Sequence, residues 1–159
     1  MKPTVYIETT ILGHLTSRLP GDKKVADQML ASRRWWSDSR PNFEIFTSQA
    51  VLAEAGKGDP VAAAGRLDAI KEVRLVPITD GATALAEFLI ERNALPAKAR
   101  FDALHLATAA ANGLQYLLTW NCRHLANPSL QVKIQLVCRD WGFESPIICT
   151  PIELNEARL

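Results

Sequence analysis

A single α/β domain, with a mainly parallel central sheet of about five strands flanked by helices, is the fold class this sequence predicts. Three observations predict it. Short apolar runs rich in β-branched and aromatic residues alternate with longer helical patterns, the order expected of strands joined by crossover helices. The 159 residues suit one domain with a real core. No internal repeat, low-complexity tract or linker divides the chain, and Gly56-Lys57-Gly58 needs no more than a turn.

The elements follow in order. "VYI" (5–7) reads as a buried strand that stops at Glu8 and a Thr-Thr turn. Asp22 is placed to cap a helix over 23–39, and "FEIFT" (43–47) is the second strand. Ser48 is placed to cap 49–56, and Asp59 followed by Pro60 opens 60–71, with proline at its favoured first helical position. "VRLVPI" (73–78) is the third strand, and Asp80 opens a helix to about 92. A helix over about 98–112 ends at Asn112-Gly113 before "YLLTW" (116–120). Leu130, Ile134, Val137 and Trp141 then form an amphipathic stripe, and "IICT" (147–150) is the last strand.

Composition narrows the classes of function. With 48% hydrophobic and 22% charged residues the chain is an ordinary globule. Its net charge of +1 gives no global field, so a nucleic-acid partner would be held by a local basic patch. Cys122, Cys138 and Cys149 are odd in number and lack Cys-x-x-Cys spacing, against a disulfide framework or zinc ribbon. No signal pattern opens the chain, and no segment reaches the roughly 18 apolar residues of a membrane span. A cytoplasmic, membrane-free protein is expected.

Three carboxylates stand in apolar text: Glu8 at the end of the first strand, Glu54 in "SQAVLAEAG" and Asp102 in "ARFDALHLATAAA". Each alone has an ordinary explanation. Glu8 could be a surface acid at a strand end, and Glu54 an exposed helical glutamate. Asp102 could favour the helix dipole, worth about 0.3–1 kcal/mol, or pair with Lys98 or Arg100. Together they have another. Ligands of open α/β sheets bind beyond the carboxyl ends of strands where the strand order reverses, which is where Glu8 and Asn121 fall. Converging carboxylates cannot all stay ionised without a cation, and hard oxygen donors suit Mg²⁺ or Mn²⁺. Metal-assisted phosphodiester hydrolysis is the natural chemistry of such a site.

These residues resemble the PIN-domain proteins of the VapC toxin type, nearly end to end. The resemblance rests on "YIETT" with Glu8, "TSQAVLAE" with Glu54, "DALHLATAA" with Asp102, and "LLTWN" with Asn121. The third element is the most specific. The resemblance implies a single PIN-like domain that is a Mg²⁺- or Mn²⁺-dependent endoribonuclease, with Glu8, Glu54 and Asp102 as metal ligands and Asn121 as the fourth catalytic position. It implies in-line attack leaving a 5′-phosphate and a 3′-hydroxyl, a small cognate antitoxin protein and a homodimer. Two departures stand out. Glu8 occupies a position where the family usually has Asp, one methylene shorter. Asn121 stands where the family often has Asp, so the site carries three formal negative charges rather than four, which weakens metal affinity and disfavours a second ion.

Supporting residues each carry two readings. Thr9, Thr10 and Thr119 could bind a metal water or phosphate, or simply follow the threonine preference of strand ends. Ser48 reads as a helix cap that the resemblance puts near the site. His105, three residues after Asp102, shares its helix face, either as a donor in the outer shell of the site or a general acid or, the favoured reading, as a histidine packed in an apolar helix. Lys57, Lys98, Arg100, Arg123 and His124 flank the acids and would meet RNA phosphates, or stand as solvated charges. Arg33, Arg34, Trp35 and Trp36 could stack bases, but packing or partner contact is favoured. The competing function is a catalytically impaired PIN-like module that binds RNA or an antitoxin-like protein; Asn121 speaks for it and the three carboxylates against. A phosphatase with a carboxylate nucleophile would want a strand-end Asp and a second acid two residues on, and "ETT" has neither.

Overall fold

The structure, a computed structural model, describes residues 1–156. Five strands form one sheet in the order β3-β2-β1-β4-β5, every neighbouring pair parallel. They are β1 (Thr4–Ile7), β2 (Glu44–Thr47), β3 (Arg74–Leu75), β4 (Tyr116–Leu118) and β5 (Ile147–Cys149). β1 is central, and Val5, Tyr6 and Ile7 are all buried, as expected where helices cover both faces of a parallel sheet. Its register aligns Tyr6 with Phe46 on one side and Leu117 on the other. Crossovers run one way from β1 to β2 and β3 and the other way to β4 and β5, so the order reverses between β1 and β4.

Helix α1 (Thr9–Thr16) stands where the sequence suggested only a Thr-Thr turn. Glu8 is its N-cap, accepting from Thr10 N at 3.0 Å, and Ile11 and Leu12 bury its inner face. Helix α2 (Lys23–Arg34) has the expected Asp22 cap and runs on as a π-helical turn, Trp35–Ser39. Trp35 is core, packed on Phe43, while Trp36 lies under the Arg40 guanidinium at 4.0 Å; Arg33 bonds the carbonyls of His14 and Ser17. That cluster packs, as favoured.

Ser48 precedes α3 (Gln49–Ala55) but does not cap it by side chain, because its hydroxyl is turned to Tyr6. Asp59 caps α4 (Pro60–Ala69) through Ala62 N at 2.9 Å. The cap of α5 (Asp80–Glu91) is Thr79, one residue before the expected Asp80. β3 is shorter than the 73–78 run suggested, an edge strand with exposed residues. A 3₁₀ turn, Ala97–Ala99, leads into α6 (Arg100–Ala111), an alanine-rich helix packed along α5 and buried through most of its length. Gly113, at φ +66°, takes the left-handed conformation that ends it.

Helix α7 (Pro128–Asp140) buries Ile134 and Val137 of the predicted stripe, while Trp141, just past its end, packs at a tilt on Phe88 with ring centroids 4.4 Å apart. A short helix, α8 (Pro151–Glu156), follows β5; Thr150 and Glu153 cap it reciprocally. The three cysteines are free. Among the described residues no helix is long and apolar enough to cross a membrane.

Candidate functional site

The carboxyl ends of β1 and β4 meet at the reversal point, and local hydrogen bonds join them. Glu8 sits one residue past β1, only 2% exposed, with Oε1 accepting from both Thr10 N and Thr10 Oγ1. Thr10 Oγ1 in turn accepts from Trp120 N at 2.9 Å, tying α1 to the segment after β4. Burial pushes the Glu8 carboxyl up to about 7, and the Asp102 charge adds to it; the Thr10 bonds and the charge of His105 oppose.

Glu54, on α3, is half-buried rather than an exposed helical acid. Its Oε1 accepts from Thr9 Oγ1 at 3.0 Å and from His105 Nε2. Burial works to raise its pKa, but the His105 bond and charge, Thr9 and Lys57 together hold it below the ordinary value. Asp102, in the first turn of α6, is raised by burial and by the Glu54 charge, against His105, His124 and Asn121. Its partner is neither Lys98 nor Arg100: Asn121 Nδ2 donates to its Oδ2 at 2.8 Å, and His124 Nδ1 lies 3.7 Å from the same oxygen.

Asn121 therefore presents its amide hydrogens to the acid. Its oxygen accepts from His124 N at 3.0 Å inside the loop. Thr119 accepts from Asn121 N and is fully buried, so it shapes the turn rather than facing a ligand. His105 is buried as favoured, yet both ring nitrogens are bonded, Nε2 to Glu54 and Nδ1 to Tyr6 Oη at 2.9 Å.

The three acids thus lie within one another's electrostatic reach, Glu8 with Asp102 and Asp102 with Glu54. Among the described residues, however, no three His, Cys, Asp or Glu side chains stand close enough together to share an ion. The hydrogen bonds fall on one oxygen of each acid, leaving Glu8 Oε2, Glu54 Oε2 and Asp102 Oδ1 without a partner among those residues. Three hard anionic oxygens, one of them on a buried carboxylate, fit a divalent cation in chemistry, and binding it would require the acids to draw together.

The expected basic residues divide. Lys57 reaches over the exposed Phe101 ring, 5.0 Å from its centroid, and its charge bears on Glu54. Lys98 and Arg123 are exposed, whereas Arg100 turns away to line a crevice between α5 and α6 with Thr83, Glu87 and Leu104. None of the four has an acidic partner among the described residues. A cleft of about 470 Å³ opens elsewhere, at the amino ends of the strands, lined by Lys2, Trp36, Arg40 and Phe43. Size does not make it the better site, because Arg40 and Arg74 are already occupied by Trp36, Phe46 and Glu44.

Sequence reading passed over Tyr6 and the backbone of His124. A phenol in a doubly buried strand must find a polar partner, and that signal was present in "VYI".

No protein-family model matches the chain, and no curated protein does. Solved structures are similar to it, these two among them. One is VapBC2 from Rickettsia felis bound to a promoter DNA fragment, with 17% identity, TM-score 0.53, and 92% of this chain and 98% of that chain covered. The other is VapC20 of Mycobacterium tuberculosis, a toxin that cleaves the Sarcin-Ricin loop, with 20% identity, TM-score 0.58, and 78% and 95% covered. The chain has the PIN-domain fold of VapC-type proteins.

Proposed function

We propose that this chain is a Mg²⁺- or Mn²⁺-dependent endoribonuclease and the toxin of a type II toxin–antitoxin pair. One observation carries the reading: Glu8, Glu54 and Asp102 stand around the reversal point of the sheet, Asp102 within electrostatic reach of both glutamates, and each acid keeps one oxygen unbonded among the described residues. The likeness to a toxin that cleaves RNA supports it.

Glu8, Glu54 and Asp102 would hold the ion. Bound there, the ion would supply the hydroxide nucleophile and stabilise the leaving oxygen. The protein's own groups prepare the site. Thr10 and Thr9 fix one oxygen each of Glu8 and Glu54, and Asn121 holds Asp102 by donating to it. An amide at position 121 thus steadies a ligand instead of adding a fourth charge. Lys57, Lys98 and Arg123, free of acidic partners, would take RNA phosphates. The same likeness to VapBC2 is the ground for a small antitoxin partner; a homodimer and a cytoplasmic location are expected with it, the first readable by light scattering.

Cleavage of an end-labelled structured RNA in Mg²⁺, Mn²⁺ and EDTA, beside Asp102→Asn, tests the proposal. Metal-dependent cutting that the variant loses supports it. Identical behaviour of both proteins across several RNAs, without a metal effect, overturns it in favour of the RNA- or antitoxin-binding module.

A further inference from the structure

We infer that Tyr6 and His105 are positioning residues that set Glu54 for metal binding, through a directed run of hydrogen bonds from Ser48 to Tyr6 to His105 to Glu54. The inference rests on the metal-site reading above and assigns two groups that are not ligands themselves.

The run is short and buried up to its last bond, which ends on the half-buried Glu54. Ser48 Oγ lies 2.6 Å from Tyr6 Oη, Tyr6 Oη lies 2.9 Å from His105 Nδ1, and His105 Nε2 meets Glu54 Oε1. Ser48, Tyr6 and His105 are all buried. Donor and acceptor chemistry then sets the direction. An ionised carboxylate only accepts, so Nε2 carries the hydrogen. In a neutral ring Nδ1 then accepts, so the Tyr6 phenol donates to it and the Ser48 hydroxyl donates to Tyr6 Oη, whereas an imidazolium would turn the Tyr6 bond round.

The consequence is mechanical. The imidazole is held at both nitrogens, so it cannot flip without breaking two hydrogen bonds, the one to Tyr6 fully buried. Its Nε2–H and the Thr9 hydroxyl converge on the same Glu54 oxygen, which leaves Oε2 as that carboxylate's free donor atom. Fixing a glutamate side chain costs rotamer entropy, and at Glu54 part of that ordering precedes any ion. The residues come from three regions far apart in sequence: β1, the β2–α3 junction with α3, and α6.

The test pairs ¹⁵N-histidine spectra of the full chain with calorimetric Mn²⁺ titration of metal-stripped protein. It uses Tyr6→Phe, His105→Leu and His105→Gln. The expected spectrum shows His105 with a proton on Nε2 and an acceptor Nδ1 whose signal moves in Tyr6→Phe. Outer partners of metal ligands are worth about 10–100-fold in affinity, so Mn²⁺ binding should weaken about tenfold or more in His105→Leu and severalfold in Tyr6→Phe. His105→Gln should recover most of it, since its amide can donate to Glu54. A proton on Nδ1, alone or together with one on Nε2, overturns the directed run and with it the inference. So does wild-type Mn²⁺ affinity in both Tyr6→Phe and His105→Leu, even if both melt earlier, because a merely structural pair would behave that way. Tyr6→Phe, which deletes one oxygen atom, keeps the test decisive if His105→Leu does not fold. A wild-type chain that takes up no Mn²⁺ overturns the metal reading and this assignment together, and is told apart from the other failures by the wild-type titration alone.

Discussion

Replacing Glu8 by Gln should make the metal-free protein progressively more stable than wild type as pH rises. The substitution keeps the acceptor that Thr10 N and Thr10 Oγ1 use, and removes the buried charge. Burial, reinforced by Asp102, raises the Glu8 carboxyl from 4.5 to about 7. The folded state therefore binds this proton more tightly than the unfolded chain. Its contribution is fully present below the unfolded value and is lost as pH rises through the folded one. At 1.36 kcal/mol per unit, the full shift amounts to roughly 3 kcal/mol lost by about pH 8. The variant amide is neutral throughout, though its new NH₂ group costs about 1–3 kcal/mol if it stays unpaired. The change with pH, not the absolute difference, is therefore the quantity to read. Between about pH 5 and pH 8 the gap should move in the variant's favour by roughly 2–3 kcal/mol, or about 4–12 °C in Tm for a chain of this size. Thermal melts in EDTA across that range measure it. A constant gap would refute the reasoning, and so would one that moves toward wild type. Saturating Mn²⁺ should reverse the order at the upper pH, because only wild type keeps all three acids.

Three other outcomes are expected. Leu117→Ala, in the fully buried middle of β4, should cost about 2–5 kcal/mol by urea unfolding, and a loss under about 1 kcal/mol would contradict that core assignment. Asn121→Asp removes the donor to Asp102 and sets two carboxylates side by side, so the melting point in EDTA should fall while Mn²⁺, which relieves the repulsion, binds more tightly by calorimetry; a weaker Mn²⁺ complex would show that holding Asp102 outweighs the added charge. Lys57→Ala, in an Asp102→Asn background that cannot cut, should weaken RNA binding and lower the salt-dependence slope by about 0.7–1, whereas an unchanged slope would put Lys57 off the RNA path.

Much of the fold was legible because its signals are local. Val5, Ile7, Leu117 and Ile148 read as strand, Asp22 and Asp59 as caps, and Asn112-Gly113 as a stop, each within a few residues. Helix α1 was not legible: "TTILGHLT" holds three threonines and a glycine, poor helix formers, and it stands because Glu8 caps it and α2 and α4 cover it. Helix α8 was readable and went unread, since Thr150, Pro151 and Glu153 spell a capping box with proline at the first position.

The candidate site divides along the same line. Its acids stood out because a carboxylate in apolar text is conspicuous alone. The groups that hold them did not, because Tyr6 in a strand and His105 among alanines and leucines each look like packing. What separates packing from a polar contact is the atom across the interface, and periodicity reports only which face a residue is on. Tyr6 and Ser48 are 42 positions apart and Tyr6 and His105 are 99 apart, so no local window contains a pair. The missing constraint is topological. Once β1 is central and α6 lies against it, a buried phenol and a buried imidazole are brought to the same side of one strand. Each would cost free energy if left unbonded, and each supplies what the other lacks. Treating buried polar residues as pairs to be matched through the topology would have drawn Tyr6 and His105 together, and from His105 led to Glu54.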